Sequence, residues 1–121
     1  MPATIAAFEK GEPWLKELCA YIAGNKRLLA EFLAANVPEI KLIEGHATYL
    51  CWLDIKELTE DDEAFQKFLR KNAKLFVSAG SAYGAAGKGF LRINLACPRA
   101  LVKDGLERMR KGAEAWKKGE R

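Results

Sequence analysis

The most extended pattern in this 121-residue chain is an apolar residue at every third or fourth position, the spacing of an amphipathic helix. It runs from Trp14 to about Ala35 and is bounded by Pro13, which suits a first helical turn, and by Pro38, which disfavours continuation. The same spacing returns from Arg99 to about Trp116. The first of these helices carries an apolar stripe wider than so small a domain can cover.

Apolar, aromatic and β-branched residues concentrate in shorter runs that predict strands. The strongest candidates are Thr48 to Ile55, which reads TYLCWLDI, and Phe90 to Ala96. Shorter strands are predicted from Ile40 to Ile43 and from Leu75 to Ser78. Between the last two strands, Ala79 to Gly89 has four glycines in eleven residues and is predicted to be a loop.

A third helix is predicted from about Glu60 to Ala73, with Thr59 as its cap and the acidic Asp62 three residues after that cap. The resulting order of elements is α-β-β-α-β-β-α. It predicts an α+β fold, a two-layer sandwich in which a mostly antiparallel sheet has its helices packed on one face. We expect a single domain over 1–121, divided into a helical region at 1–36 and the sandwich at 37–121.

Composition excludes several classes of protein. Hydrophobic residues make up 50% of the chain and charged residues 30%, as in ordinary soluble proteins. The net charge of +4 is spread along the sequence, so we expect no nucleic-acid partner. No apolar run approaches the ~20 residues of a membrane helix, and the charged amino-terminal residues do not fit a secretory signal, so we expect a cytoplasmic protein with no membrane partner. The cysteines, Cys19, Cys51 and Cys97, are predicted to be reduced core thiols without a metal.

One charged residue interrupts the last strand, which reads FLRINLACPR at residues 90–99. In an extended strand Arg92 and Asn94 lie on the face opposite Leu91, Ile93 and Leu95. Because a guanidinium group matches a carboxylate with two parallel N–H donors, Arg92 is a candidate carboxylate-binding residue. The pattern alone favours a solvated charge, or an ion pair with Asp54 or with a helix carboxylate.

Two segments carry a resemblance to a known family. GHATYLCWLD and LFVSAGSAYGAAGKGFLRINLACPR resemble the carboxy-terminal small domain of class I/II aminotransferase-like enzymes that use pyridoxal phosphate, in the cystathionine β-lyase or C–S lyase branch. The amino-terminal AAFEKGEPWL resembles the segment that leads from the large domain into a long connecting helix. The resemblance implies that Arg92 binds the α-carboxylate of an amino-acid substrate.

The resemblance also assigns roles to neighbouring positions. Tyr49 matches an aromatic residue beside the substrate, although a half-buried sheet aromatic would show the same pattern. A loop that closes over the site is matched by four residues, which in this chain are Gly80, Ser81, Tyr83 and Gly84. Its glycines are equally explained by turn geometry. Asn94 joins the candidate substrate-binding set through its position beside Arg92, and Cys97-Pro98-Arg99 is interpreted as a structural junction.

Pyridoxal-phosphate chemistry needs a Schiff-base lysine, an acid at the pyridinium nitrogen and a phosphate site. In the family these belong to the large domain, and none of the thirteen lysines lies in the S-x-x-K context that the family uses. We therefore expect that the chain alone is catalytically incomplete and binds no cofactor by itself. It is interpreted as a domain fragment or an engineered scaffold, whose partner is a missing large domain or, through the amino-terminal helix, a second copy in a dimer. A helix repacked on its own sheet is the alternative.

A different class of function rests on thiol chemistry. His46 precedes the strand that bears Cys51, and a thiol beside an imidazole can act as a nucleophile toward esters. An alternative function is therefore a hydrolase that uses a dyad of His46 with Cys51, or with Cys97. The five-residue separation along an extended strand argues against close contact of His46 and Cys51. A ligand-free interaction module is the remaining alternative.

Overall fold

The computed structural model describes residues 1–119 of the chain. Four α-helices lie in this part of the chain, α1 Pro2–Lys10, α2 Glu12–Asn36, α3 Asp62–Phe68 and α4 Arg99–Lys117. The described residues also form four strands, β1 Lys41–Leu42, β2 Leu50–Asp54, β3 Ser78–Ala79 and β4 Phe90–Asn94. The fold is α+β, as predicted.

The strands form one antiparallel sheet in the order β1-β2-β4-β3. The central pairing joins β2 to β4 with Leu50 opposite Asn94 and Trp52 opposite Arg92. The edge strands are short: β1 pairs with β2 over two residues, and β3 pairs with β4 over two. The two strands with the strongest sequence signal therefore form the centre of the sheet.

One face of the sheet supplies the core. Cys51, Leu53 and Leu91 are buried on this face, and each alternates with a partly exposed residue along its strand. They belong to one apolar cluster with buried residues of the helices, among them Leu29, Leu33, Phe65, Leu106 and Met109. The opposite face carries Trp52 and Arg92, which are not part of the core.

The third helix begins two residues later than the sequence pattern predicts. Thr59 is not its cap: the Thr59 hydroxyl accepts a hydrogen bond from the amide of Asp61. Asp61 is the residue that caps α3, since its carboxylate accepts from the amide of Ala64 at 3.0 Å. After Phe68 the helix widens into a π-helical turn, Leu69–Ala73.

The predicted strand from Leu75 to Ser78 is largely absent, because only Ser78–Ala79 pairs with β4. The amide of Leu75 donates instead to the carbonyl of Leu69, and this hydrogen bond closes the π-helical turn. Lys74, which follows that turn, has the left-handed backbone conformation. The loop predicted from Ala79 to Gly89 contains two short 3-10 turns, Gly80–Tyr83 and Ala85–Gly87.

The amino-terminal part of the chain is exposed. Helix α1 was not predicted and has no buried residue, and the buried residues of α2 begin only at Asn25. Phe8 is 87% exposed and Trp14 is 67% exposed. Cys19 is exposed as well, so its assignment to the core was wrong. Within residues 1–119, none of the helices has the length and apolar character to cross a membrane.

Candidate functional site

Arg92 lies on β4 with its side chain on the sheet face away from the core, as the alternation predicted. It is half-buried, and its guanidinium group lies 4.3 Å from the ring centroid of Tyr83. No carboxylate within the described residues forms an ion pair with Arg92. Asp54, one of the partners that the sequence allowed, instead forms an ion pair with Lys56, with 3.8 Å between its Oδ2 and the Lys56 Nζ.

Tyr83 reaches Arg92 because the glycine-rich loop is folded tightly. Gly80 and Gly87 face each other so closely that a Cβ on Gly80 would lie 2.1 Å from the Gly87 carbonyl oxygen. Gly84 has φ +127°, a conformation that residues with side chains rarely adopt. Three of the loop glycines therefore shape the turns that carry Tyr83.

A buried carboxylate fixes both ends of this loop. Asp62 is 1% exposed and accepts hydrogen bonds from the amide of Ser81 at 2.9 Å, the hydroxyl of Ser81 at 2.8 Å and the amide of Gly89 at 3.1 Å. Burial acts to raise the pKa of Asp62, but these hydrogen bonds together hold that pKa below its ordinary value. Sequence reasoning placed Asp62 at a helix start and missed this role, because its partners lie far along the chain.

Two adjoining depressions share the side chains of Ile43 and Trp52 as a common wall. The first, of about 410 Å³, is mainly apolar and is also lined by Tyr83, Ala86, Gly87 and Phe90. The second, of about 700 Å³, extends from Arg92 to Lys26 and Arg27 on α2. We call the two together the Arg92 cleft. It combines an aromatic wall on the sheet face away from the core with a cationic wall that extends to α2.

Tyr49 and Asn94 lie near the cleft but have local structural contacts. Tyr49 is exposed, and its carbonyl accepts a hydrogen bond from the amide of Leu95 just beyond the β2–β4 pairing. The side chain of Asn94 is exposed and accepts from the amide of Ala96 at 2.8 Å, which turns the chain at the end of β4. Neither residue lines the two depressions.

The structure places Cys51 and His46 in different surroundings. Cys51 is buried on the core face, and burial raises the pKa of its thiol despite the opposing charge of Lys26. His46 is exposed in the loop before β2. A raised thiol pKa favours the protonated form over the nucleophilic thiolate, so the surroundings of Cys51 do not support thiol catalysis.

The junction after β4 is tied to helix α2. Asn25 is 0% exposed; its amide group donates to the carbonyls of Leu95 at 3.0 Å and Cys97 at 3.2 Å. Its carbonyl oxygen accepts from the guanidinium group of Arg99 at 3.0 Å, and that group also lies over the ring of Tyr21. This network fixes where β4 ends and α4 begins, which in turn fixes the strand that carries Arg92.

Comparison with known proteins shows the family to which the chain belongs. The sequence model described as aminotransferase class I and II matches residues 1–109. This chain belongs to the class I and II aminotransferase family. It is 38% identical to cystathionine beta-lyase PatB of Bacillus subtilis over 87% of this chain and 27% of that protein. It is 39% identical to the protein MalY of Escherichia coli over 88% of this chain and 27% of that protein.

Solved structures of the family share the fold. Cystalysin from Treponema denticola, whose crystal structure contains pyridoxal 5'-phosphate, superimposes with a TM-score of 0.84 at 34% identity over 89% of this chain and 27% of that one. A C–S lyase from Staphylococcus hominis, complexed with L-cycloserine, gives a TM-score of 0.81 at 33% identity over the same shares of the two chains. The chain thus spans about a quarter of the length of its family relatives.

The lysines of the described chain do not fit a pyridoxal-phosphate site on their own. A Schiff-base lysine is typically held away from water, where it loses its proton readily. Lys26 is half-buried in the cationic half of the cleft, and the other lysines are exposed. The cationic side chains of the cleft are suited instead to binding an anionic group.

Proposed function

We propose that this chain acts as the small domain of a pyridoxal-phosphate-dependent C–S lyase or aminotransferase, in which Arg92 binds the α-carboxylate of the amino-acid substrate. The observation that carries the proposal is a half-buried guanidinium group, without a carboxylate partner in residues 1–119, at the wall of an open cleft. Removing such a group from water is costly unless an anion compensates it.

Tyr83 supports this role. The carbon of the Arg92 guanidinium group lies over the Tyr83 ring, 4.3 Å from the ring centroid. A guanidinium group that packs on an aromatic ring can still offer N–H donors to a ligand. A carboxylate then accepts two parallel hydrogen bonds, while the ring restricts the orientation of the arginine. The loop that bears Tyr83 is fastened by Asp62, so we expect the binding geometry to depend on that buried acid as well.

The cofactor and the residues that hold it belong, in this proposal, to a large domain on further polypeptide. Cystalysin, whose crystal structure contains pyridoxal phosphate, is more than three times as long as this chain. The large domain would also cover the apolar residues of α1 and the first turns of α2. The chain itself contributes binding and orientation of the substrate carboxylate, and the cofactor supplies the electron sink for bond cleavage at the amino acid.

A complementation experiment tests the proposal. The large domain of the relative cystathionine beta-lyase PatB, prepared without its own small domain and loaded with pyridoxal phosphate, is mixed with this chain, and pyruvate release from cystathionine is measured. We expect turnover, with kcat/KM lowered about 100-fold by Arg92→Ala, equivalent to about 2.7 kcal/mol.

Arg70→Ala is the matched control, because Arg70 also stacks on an aromatic ring, that of Phe76, but lies outside the cleft. It should leave kcat/KM unchanged. Equal kcat/KM for the Arg92→Ala variant and the unmodified chain would contradict carboxylate binding by Arg92.

A further inference from the structure

The Arg92 cleft offers more than a carboxylate site, because the depression beside the cationic one is apolar. Phe90 and Arg92 lie two residues apart on the same face of β4, and Trp52 lies opposite Arg92 on β2. Tyr83 closes the group from above: the Trp52 and Tyr83 rings meet edge to face at 5.9 Å, and those of Trp52 and Phe90 at 6.0 Å. The three rings form one wall of a depression of about 410 Å³.

The cationic half lies directly beside this aromatic wall. Lys26, Arg27 and Arg92 line it against a single carboxylate, that of Glu44. In residues 1–119, none of these three cations takes part in an ion pair. The excess of positive charge favours the binding of an anionic ligand. The cationic and apolar halves adjoin each other, because Trp52 and Ile43 line both of them.

We propose that the cleft selects carboxylates that carry an apolar or aromatic group, so that this small domain favours amino acids or oxo acids whose side chain begins with an apolar segment. This inference rests on the proposed function, since Arg92 fixes the carboxylate end. Tyr83 then has two roles: one face of its ring contacts the guanidinium group, and the ring also lines the pocket for the apolar group. A neutral apolar ligand should bind more weakly because it lacks the interaction with the cations. A small carboxylate should bind more weakly because the aromatic wall then stays exposed to water.

Binding to the isolated chain tests the inference without any cofactor. Amide and guanidinium resonances of the ¹⁵N-labelled chain are followed while 3-phenylpropionate, propionate or benzyl alcohol is added. We expect 3-phenylpropionate to bind about tenfold or more tightly than either of the others, as burial of a phenyl ring contributes at least one tenfold step. Its addition should shift Ala86 and Gly87 in the apolar half together with the side chain of Arg92.

Two variants separate the halves of the cleft. Tyr83→Ser should weaken the binding of 3-phenylpropionate more than that of propionate, and so abolish the advantage of 3-phenylpropionate. Arg92→Gln should weaken both carboxylates about tenfold and leave benzyl alcohol unaffected. The matched controls are Phe76→Ser and Arg70→Gln, which alter an exposed aromatic–arginine pair elsewhere and should change none of the affinities.

The possible failures are distinguishable. Equal affinities for propionate and 3-phenylpropionate, with Arg92 shifted by both, overturn the selection for apolar groups and leave the carboxylate site standing. An unshifted Arg92 resonance with every carboxylate overturns the carboxylate site itself. Shifts confined to the exposed depression around Phe8 and Trp14 would overturn the inference, because they report binding outside the cleft.

Discussion

Two buried polar residues, Asp62 and Asn25, hold the parts of the chain that present Arg92. Asp62 fastens the loop that bears Tyr83, and Asn25 fastens the turn at the end of β4. Each satisfies backbone groups from a distant segment, so its loss leaves buried polar atoms without partners. Stability and ligand geometry are therefore coupled at these two side chains.

The role of Asp62 predicts a large effect of its removal. Asp62→Ala should lower the free energy of unfolding by about 3 kcal/mol, because it removes three charge-assisted hydrogen bonds and leaves the buried Gly89 amide without its acceptor. The adjacent Asp61→Ala, which removes only a helix cap, should cost about 1 kcal/mol. Urea denaturation followed by circular dichroism measures both. Equal losses would show that Asp62 does not anchor the loop.

The same carboxylate gives the stability a defined dependence on pH. Because the pKa of Asp62 is lower in the folded protein than its ordinary value of 3.8, the unfolded chain binds the proton more readily. The contribution of Asp62 is complete above pH 3.8 and is lost as pH falls through the lower pKa of the folded state. Between pH 5 and pH 3, the unfolding free energy of the unmodified chain should fall more than that of Asp62→Asn. Parallel decreases would contradict the lowered pKa of Asp62.

The network around Asn25 predicts a second destabilising substitution. Asn25→Ala removes the donors to Leu95 and Cys97 and the acceptor for Arg99, and should cost about 2 kcal/mol of unfolding free energy. Asn36→Ala is the control on the same helix: its amide donates to a single carbonyl at an exposed position, and its removal should cost below about 0.5 kcal/mol. Thermal unfolding compares the two. Similar transition temperatures would exclude a structural role for the buried network.

At this scale the sequence predicts the orientation of Arg92 but not the residues that support it. Strand alternation is local, so two residues of context suffice to place Arg92 opposite Leu91. Asp62 contacts residues 19 and 27 positions away, and Asn25 contacts residues 70 and 72 positions away. A polar residue within a helical pattern gives no local sign of such a partner. The neutral Asn25 inside the apolar spacing of α2 was the one available clue.

Among the elements, those with strong patterns were predicted and those defined by their neighbours were not. Strands β2 and β4 combine branched and aromatic residues with mutual pairing, so their positions were confirmed to within two residues at either end. The lengths of the edge strands β1 and β3 depend on how far the chain continues to pair with the neighbouring strand. After Ile43 the chain leaves β2, and before Ser78 it is still closing the π-helical turn.

The start of α3 shows how one pattern can serve two structures. A threonine followed three residues later by an acid is typical of a capping box. Here Thr59 closes a turn, Asp61 caps the helix, and Asp62 points to the glycine loop instead. Local sequence offers all three residues equally, and the buried amides of the loop decide which acid becomes the anchor.

On the scale of the whole molecule, the sandwich and the second half of α2 form the core, whereas α1 and the first turns of α2 lie outside it. The buried residues of α2 all belong to its second half, while the apolar residues of α1 and of the first turns of α2 are exposed. The predicted stripe is therefore wider than the sandwich covers, and its first half has not repacked on the sheet. A contiguous apolar surface of this kind favours association in water.

The last prediction concerns this surface in the isolated chain. Phe8, Trp14 and Leu15 surround an apolar depression of about 540 Å³, and we expect two copies of the chain to bury these residues against each other. Sedimentation equilibrium from micromolar to millimolar concentration should show a reversible dimer. The double variant Phe8→Glu with Trp14→Glu should remain a monomer, because like charges would then meet in the contact.

Phe76→Glu is the control for surface charge, since Phe76 is similarly exposed but lies far along the chain beside Arg70 and outside the depression. It should leave the dimer intact. Addition of a complementary large domain should compete with the dimer if that domain covers the same helices, and the mass of the complex then reports one copy of each. A monomer at every concentration, with α1 and α2 helical by circular dichroism, would show that these exposed residues do not drive association.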